Sequence, residues 1–144
     1  ASPGSQEEAT MRLGRIGFDL VAGYLQDGMM ALAHRDDLVG RRERITALTL
    51  QEQRQEGMNA FVLDVRSASE RSEGQIPEST HIPLPQLPKH LEEIPRDRPV
   101  IVYCAGGYRS AVAGSLLALH GIDQVIDLVG GISAWEAAGL PTVN

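Results

Sequence analysis

The sequence predicts an α/β fold in which a parallel sheet is covered by helices on both faces. Short apolar runs that are typical of buried strands alternate along the chain with segments that carry helix-start signals. Gly57 and Gly121 stand where two of the helical segments would end. Strands that alternate with helices join in parallel, and the connecting helices then cover both faces of the sheet.

The first strand is predicted over residues 45–48, which are mostly apolar. Thr49 and Glu52 follow with the spacing of a capping box, in which each side chain accepts a backbone N–H of the other residue. A helix is therefore predicted from this point, and Gly57 can end it.

The second strand is predicted over residues 61–65, a buried run that ends at Asp64 and Val65. Ser67 and Glu70 repeat the capping-box pattern and predict a second helix start. Later apolar residues lie at helical spacing, although two prolines confine any helix to the later part of the segment. These apolar residues are Leu84, Leu87, Leu91 and Ile94, and the prolines are Pro85 and Pro88.

The last strong strand signal covers residues 100–103, directly after Pro99. A helix is predicted over residues 109–120, with Gly121 placed to end it. A short strand, a glycine turn and a final helix are predicted after Gly121, so the alternation continues to the end of the chain.

Composition excludes several classes of function. The chain has 144 residues, a formal net charge of -6 and only 4% aromatic residues, which argues against a nucleic-acid partner. No apolar run is long enough to span a bilayer, so no membrane partner is expected. A single cysteine cannot form an internal disulfide, and the four histidines show no ligand spacing. We therefore expect a cytoplasmic protein without a metal or an organic cofactor.

Cys104 is the main candidate for a catalytic residue. It directly follows the apolar strand, at the sheet edge where parallel α/β proteins bind ligands. Gly106 and Gly107 let the loop curl so that backbone N–H groups and the next helix N-terminus converge on one point. A thiolate in that position is stabilised, which should lower the thiol pKa. Arg109 adds a cation nearby.

A lone cysteine after a buried strand is most often a core residue, but a core cysteine needs no glycine loop. Arg109 could support the thiolate or a donor anion, or form an ion pair that shapes the loop, with Asp64 as the candidate partner. Asp64 is expected to support the loop. Arg66 and Arg71 could attract anionic donors or be solvated surface charges. Tyr108 could line the rim of a pocket or be a half-exposed packing residue. Trp135 is expected in the core.

Four motifs in order resemble those of the rhodanese family. The loop Cys-Ala-Gly-Gly-Tyr-Arg-Ser at residues 104–110 resembles the rhodanese active-site loop. The other three rhodanese motifs are matched by Leu-Asp-Val-Arg at residues 63–66, by the segment 74–84 and by Gly-Gly-Ile-Ser-Ala-Trp at residues 130–135. Gln75 replaces a usual His and Glu78 a common Gly, and neither touches the loop.

The resemblance implies a parallel five-stranded sheet and a sulfurtransferase that works by double displacement. Cys104 would take a sulfane sulfur from thiosulfate or a low-molecular-weight persulfide and pass it to a thiol, sulfite or cyanide. The residues at positions 105–109, namely Ala105, Gly106, Gly107, Tyr108 and Arg109, would form the anion-binding loop. Ala105 supplies no charge where some thiosulfate-using relatives carry Lys or Arg, which favours a persulfide donor.

Two alternatives remain open. Cysteine phosphatases place five residues between the cysteine and the arginine, whereas four lie between Cys104 and Arg109, so the loop fits sulfur better. Rhodanese-like modules can also be non-catalytic interaction or regulatory domains, although those commonly lack the cysteine.

A partial internal repeat suggests two modules. Residues 17–31 resemble residues 121–134, and both copies read as helix, turn, short strand, glycine turn and helix. Residues 1–42 are therefore interpreted as the C-terminal remnant of a preceding rhodanese-like module plus a connector, and residues 43–144 as the rhodanese domain. Such a tandem is similar to the C-terminal part of metallo-β-lactamase-fold persulfide dioxygenase–rhodanese fusions. An upstream domain of a longer polypeptide is expected. The remnant is expected either to pack on the rhodanese domain or to mediate self-association into homo-oligomers.

Overall fold

The computed structural model describes residues 4–15, 20–35 and 37–144. The chain divides into two units, residues 1–41 and residues 42–144. The second unit contains every strand of the described residues and the whole predicted site. The origin of the first unit as the end of a preceding module stays a prediction.

The second unit is built on a five-stranded sheet in which every pairing is parallel. Its strands are β1 (Glu43–Ile45), β2 (Phe61–Asp64), β3 (Thr80–His81), β4 (Val100–Tyr103) and β5 (Val125–Leu128). They lie in the order β1-β5-β4-β2-β3, so β4 occupies the centre. The predicted fold class is thereby confirmed.

Helices cover both faces of this sheet. Their bounds are α2 (Ala47–Gln55), α3 (Ala68–Arg71), α4 (Tyr108–Leu119) and α5 (Gly131–Ala137). On one face α4 buries Ala113 and Leu117 against β2, β4 and β5. On the other face α2 and α5 bury Leu50 and Trp135 against the same central strands. Trp135 is a core residue, as the sequence predicted.

The first strand and its helix lie a few residues earlier than predicted. β1 covers residues 43–45, and the chain is already helical at Ala47. Thr46 is the residue that caps α2, since its hydroxyl accepts the N–H of Thr49. The predicted capping box at residues 49–52 is therefore wrong. By contrast, the predicted box of Ser67 and Glu70 is present in full at the start of α3.

The apolar spacing over residues 84–94 does not produce an α-helix. The chain forms two separate 3₁₀ turns there, Leu87–Lys89 and Leu91–Glu93. Pro85 and Pro88 lack the N–H that a continuous helix would use, so the hydrogen-bond ladder cannot propagate. The apolar residues are still used, because the fully buried Leu87 and the buried Ile94 join the α4 side of the core.

The first unit contains α1 (Gln6–Gly14) and a 3₁₀ helix, Gly28–Leu32, and neither contains a buried side chain. The short strand that the repeat predicts next to Leu20 is not formed in residues 20–25. A strand needs a neighbour to pair with, and the described residues of this unit contain none. The turn predicted at residues 17–19 lies outside the described residues.

Candidate active site

Cys104 lies directly beyond the carboxyl end of β4, the central strand of the sheet. Its side chain is only 1% exposed, so the sulfur sits at the bottom of its loop and not on the surface. It belongs to the core cluster under α4 together with Val102 and Ala113. The prediction that this strand delivers the cysteine to the ligand-binding edge of the sheet agrees with this placement.

Backbone donors of the loop face the sulfur. The N–H of Gly107 donates to Cys104 Sγ over 3.1 Å. Burial alone would raise the pKa of the thiol, but the N–H groups of Ser110, Gly107 and Gly106 and the Ser110 hydroxyl lower the pKa below its ordinary value overall. Gly107 adopts a φ of 105°, a backbone conformation that would be strained for a residue with a side chain. Gly106 does not have a positive φ, and no atom lies within 4 Å of its Cβ position.

The start of α5 supports the loop from behind. The N–H of Ile132 donates to the carbonyl of Cys104 over 2.9 Å, and that of Ser133 to the carbonyl of Ala105 over 3.2 Å. Gly131 permits this approach, because a Cβ there would stand 2.1 Å from the Cys104 carbonyl oxygen. The carbonyls of Cys104 and Ala105 thus point toward α5, and these two contacts hold the first half of the loop in place.

Arg109 is held by Glu70 and not by Asp64, which corrects the partner predicted from sequence. Its two terminal nitrogens donate to the two Glu70 carboxylate oxygens over 2.6 and 2.5 Å. This pairing holds the pKa of Glu70 well below its usual range. It also raises the pKa of Arg109, to which the charge of Cys104 contributes. Much of the Arg109 charge is therefore offset by Glu70.

Asp64 is the centre of a buried network at the end of β2. Its carboxylate accepts hydrogen bonds from Arg66, over 2.8 to 3.2 Å, from Arg71 at 3.3 Å and from the Tyr103 hydroxyl at 2.9 Å. Burial would raise the pKa of Asp64, but these donors, Arg66 first, hold it below its ordinary value. Arg66 is thus neither a donor-attracting cation nor a solvated charge. The network anchors Tyr103, the residue before Cys104.

The outer positions of the loop are more open than expected. Tyr108 is 85% exposed, so it is not the half-exposed packing residue that the sequence allowed. Ala105 is partly buried, and Gly106 is exposed. The exposed positions of the loop therefore carry no charged side chain.

Sequence reasoning missed the roles of three side chains around the loop, those of Ser110, Asp127 and Glu70. Ser110 Oγ lies 3.8 Å from Cys104 Sγ, and the same hydroxyl donates to Asp127 over 2.6 Å. Asp127 interrupts an otherwise apolar strand, and that interruption is the signal that could have revealed it. Glu70 was recognised only as a cap, since nothing local links it to Arg109, 39 residues away.

The described ranges contain no group of three or more His, Cys, Asp or Glu side chains that could hold a metal ion. No helix in the same part of the chain is long and apolar enough to cross a membrane.

Comparison with known proteins places the site in context. The family model described as "Rhodanese-like domain" matches residues 46–138. A protein named sulfurtransferase from Allochromatium vinosum is 39% identical over 85 residues, which span 59% of this chain and 79% of that protein. The thiosulfate sulfurtransferase GlpE of Actinobacillus succinogenes is 35% identical over 83 residues, which span 58% of this chain and 75% of that protein.

A solved structure of a rhodanese-related protein from Thermoplasma volcanium superposes with a TM-score of 0.64 at 36% sequence identity. The superposition covers 70% of this chain and 97% of that protein. The residues matched by the family model, 46–138, include the strand, the loop and the helix around Cys104.

Proposed function

The chain belongs to the rhodanese-like domain family, and from that premise we propose that it is a sulfurtransferase that carries sulfane sulfur on Cys104. The observation that supports this most strongly is the Gly107 N–H aimed at the sulfur from 3.1 Å. An anion at this point, whether a thiolate or a terminal persulfide sulfur, has backbone donors in place before any substrate arrives. Two relatives named as sulfurtransferases are 39% and 35% identical to this chain over 85 and 83 residues.

The reaction proceeds in two displacements. The Cys104 thiolate attacks the outer sulfur of the donor, and the donor leaves as sulfite from thiosulfate or as a thiolate from a persulfide. The product is a Cys104 persulfide. An acceptor nucleophile, such as a thiol, sulfite or cyanide, then attacks the terminal sulfur and releases the Cys104 thiolate. Attack by the thiolate requires a lowered pKa, which the loop amides provide.

The charges around the loop favour a low-molecular-weight persulfide over thiosulfate as donor. Thiosulfate concentrates both of its negative charges on the small group that reacts, which a net positive site favours, whereas a persulfide carries a single charge there. Positions 105–108 carry no charged side chain. Arg109 is bound on both terminal nitrogens by Glu70, so its charge is largely offset.

A donor panel tests this proposal. Thiosulfate and glutathione persulfide are supplied separately to the wild type, to Cys104→Ser and to Ala105→Lys. We expect turnover with both donors in the wild type, a higher kcat/KM for the persulfide, and none in Cys104→Ser. Ala105→Lys should shift the ratio toward thiosulfate, because it adds a cation at the rim. Full turnover by Cys104→Ser would refute the mechanism, and an unchanged donor ratio in Ala105→Lys would refute the charge argument.

We also propose that a second rhodanese-like module precedes this one in a longer polypeptide, as in persulfide dioxygenase–rhodanese fusions. The support is the sequence repeat between residues 17–31 and 121–134.

A further inference from the structure

Asp127 is a buried carboxylate that the proposed transfer does not use. It is 8% exposed and lies on β5, which is otherwise apolar. Strand pairing sets it beside Val102 of β4 and Arg44 of β1. A carboxylate inside a parallel sheet must find hydrogen-bond partners to offset its lost hydration. One of the partners of Asp127, Ser110, also contacts Cys104.

Both oxygens of Asp127 are engaged. Oδ1 accepts the Ser110 hydroxyl over 2.6 Å, and Oδ2 accepts Nε of Arg44 over 3.3 Å. Ser110 is 1% exposed, and its Oγ faces Cys104 Sγ across 3.8 Å. The three side chains therefore form a buried series from the sulfur to the carboxylate, with one hydroxyl in the middle.

The position of the hydroxyl hydrogen decides what Cys104 meets. Ser110 has a single hydrogen to donate, and its two acceptors are Asp127 Oδ1 at 2.6 Å and the Gly107 carbonyl at 3.0 Å. The carboxylate is charged and closer, so it holds the hydrogen. We propose that Asp127 is a positioning residue of the site: it keeps the Ser110 hydrogen directed away from Cys104, so that the sulfur faces an oxygen lone pair.

Two consequences follow for the sulfur. The neutral thiol can donate its S–H to Ser110. The thiolate is stabilised by the loop amides, and Asp127 competes with it for the Ser110 hydrogen, so the hydroxyl lowers the thiol pKa less than it would without Asp127. The charged groups that face this series are Arg109 of α4, paired with Glu70 of α3, and Arg44 of β1, paired with Asp127. Asp127 thus limits how far the thiol pKa is lowered.

Replacement of Asp127 by Asn should reverse this arrangement. Arg44 can only donate, so it selects the amide oxygen of the new side chain. The amide nitrogen then donates to Ser110, and the hydroxyl hydrogen is left to the Gly107 carbonyl at 3.0 Å and to the thiolate, whose negative charge makes it the stronger acceptor. The thiolate gains a donor and loses a nearby negative charge, and both changes lower its pKa.

What the enzyme gains from the effect of Asp127 on the thiol pKa depends on the proposed function, the transfer of sulfur by Cys104. Cys104 is the attacking nucleophile when sulfur is loaded and the leaving group when sulfur is passed on. Once the thiol pKa lies below the working pH, a further fall makes the thiolate a weaker nucleophile and a better leaving group. Asp127 would therefore balance the two half-reactions.

The test is the pH dependence of iodoacetamide alkylation in the wild type, Asp127→Asn, Ser110→Ala and the double variant, with Asp123→Asn as an exposed control of the same chemistry. We expect the midpoint to fall by at least about 0.5 pH unit in Asp127→Asn and to stay unchanged in Asp123→Asn. In the Ser110→Ala background most of that shift should disappear. An unchanged or raised midpoint in Asp127→Asn, or an equal shift without Ser110, would overturn the proposal.

A second measurement leaves Asp127 intact, in case Asp127→Asn does not fold. Cys104 is the only cysteine, so the infrared S–H stretch of the chain belongs to one group. We expect this band at lower frequency in the wild type than in Ser110→Ala, because the thiol donates to Ser110. Identical bands would overturn the proposal. Neither readout needs sulfur transfer, so a wild type that shifts as expected but never loads sulfur would refute the proposed function alone.

Discussion

At the sulfur of Cys104 two opposing effects act on the same ionisation. Burial disfavours the thiolate, and the amides of the loop favour it, with the net result that the thiol pKa is lowered. The chain achieves this mainly with backbone groups, which the conformation of Gly107 makes available. Reactivity at this residue therefore depends on loop geometry more than on any neighbouring charge.

Alkylation of Cys104 by iodoacetamide should have a pH midpoint below about 8.5, the value for a free cysteine. Glutathione measured in the same buffers serves as the reference thiol. A rate profile recorded from pH 5 to pH 10 gives the midpoint directly. If it lay above that of the reference, burial would outweigh the amide donors and the account of the loop would be wrong.

Glu70→Gln should destabilise the fold by about 1 kcal/mol, since it removes a two-bond ion pair that is partly exposed. The pKa of Glu70 is depressed in the folded state, so the pair contributes fully above the unfolded pKa of about 4.3 and is lost as pH falls below it. Chemical denaturation at several pH values measures the free energy of unfolding. The difference in this free energy between Glu70→Gln and the wild type should be constant near neutrality and shrink in acid.

The control is Asp97→Asn, which breaks an ion pair with Arg98 whose carboxylate side chain is 72% exposed. Its effect on the free energy of unfolding should stay within about 0.5 kcal/mol. An equal loss in both variants would mean that Glu70 contributes no more than a surface charge.

The sequence was sufficient to single out Cys104 and its loop, because the strand, the glycines and the following helix are contiguous. The sequence could not assign the partner of Arg109, since Asp64 and Glu70 both carry the required negative charge. Only the packing of α3 in the folded chain brings Glu70 close to Arg109. Ser110 was part of the recognised loop, but its role depends on Asp127, which comes from another strand.

Among the elements, the start of α5 has the strictest requirement. Gly131 has a φ of 57°, and a Cβ there would lie 2.1 Å from the carbonyl oxygen of Cys104 and 2.6 Å from that of Ala105. Gly131→Ala should cost about 3 kcal/mol or more and disable the loop, because backbone atoms cannot move aside as a side-chain end can. Denaturation and Cys104 alkylation measure the two effects.

Gly139→Ala is the matched control, since Gly139 also has a positive φ, 69°, but nothing lies within 4 Å of its Cβ position. It should cost only the backbone strain, about 1 to 2 kcal/mol. Equal losses for the two variants would show that the contact with the loop is unimportant.

The elements with strong local signals were predicted well. β2, β4 and α4 are apolar or helical runs with clear ends, and they form where expected within a residue or two. The errors came where two signals competed. Thr46 and Thr49 are both suitable caps, and parallel pairing of residues 43–45 with β5 decided in favour of Thr46. At residues 84–94, proline chemistry outweighed the apolar spacing.

For the whole molecule, the open question is the contribution of residues 1–41. The described part of that unit leaves large apolar side chains exposed, and such surfaces promote association. They include Leu20, Tyr24, Met29 and Met30. We expect a chain that begins at Arg42 to keep its alkylation profile and its activity and to be monomeric. Arg42 is retained because its side chain packs against Gly114.

Sedimentation velocity of the full chain and of the truncated chain measures the association state. Greater association of the full chain would support a remnant that a neighbouring module normally covers. Failure of the truncated chain to fold would show that the first unit is part of the catalytic domain and that the proposed boundary is wrong.

The central claim, that Cys104 is the sole carrier of sulfur, is tested most directly by intact mass. The wild type and Cys104→Ser are incubated with glutathione persulfide, freed of donor and weighed before and after cyanide. We expect one added sulfur atom in the wild type, removed by cyanide, and no adduct in Cys104→Ser. A wild type that gains no sulfur, or a serine variant that gains it equally, would contradict the account.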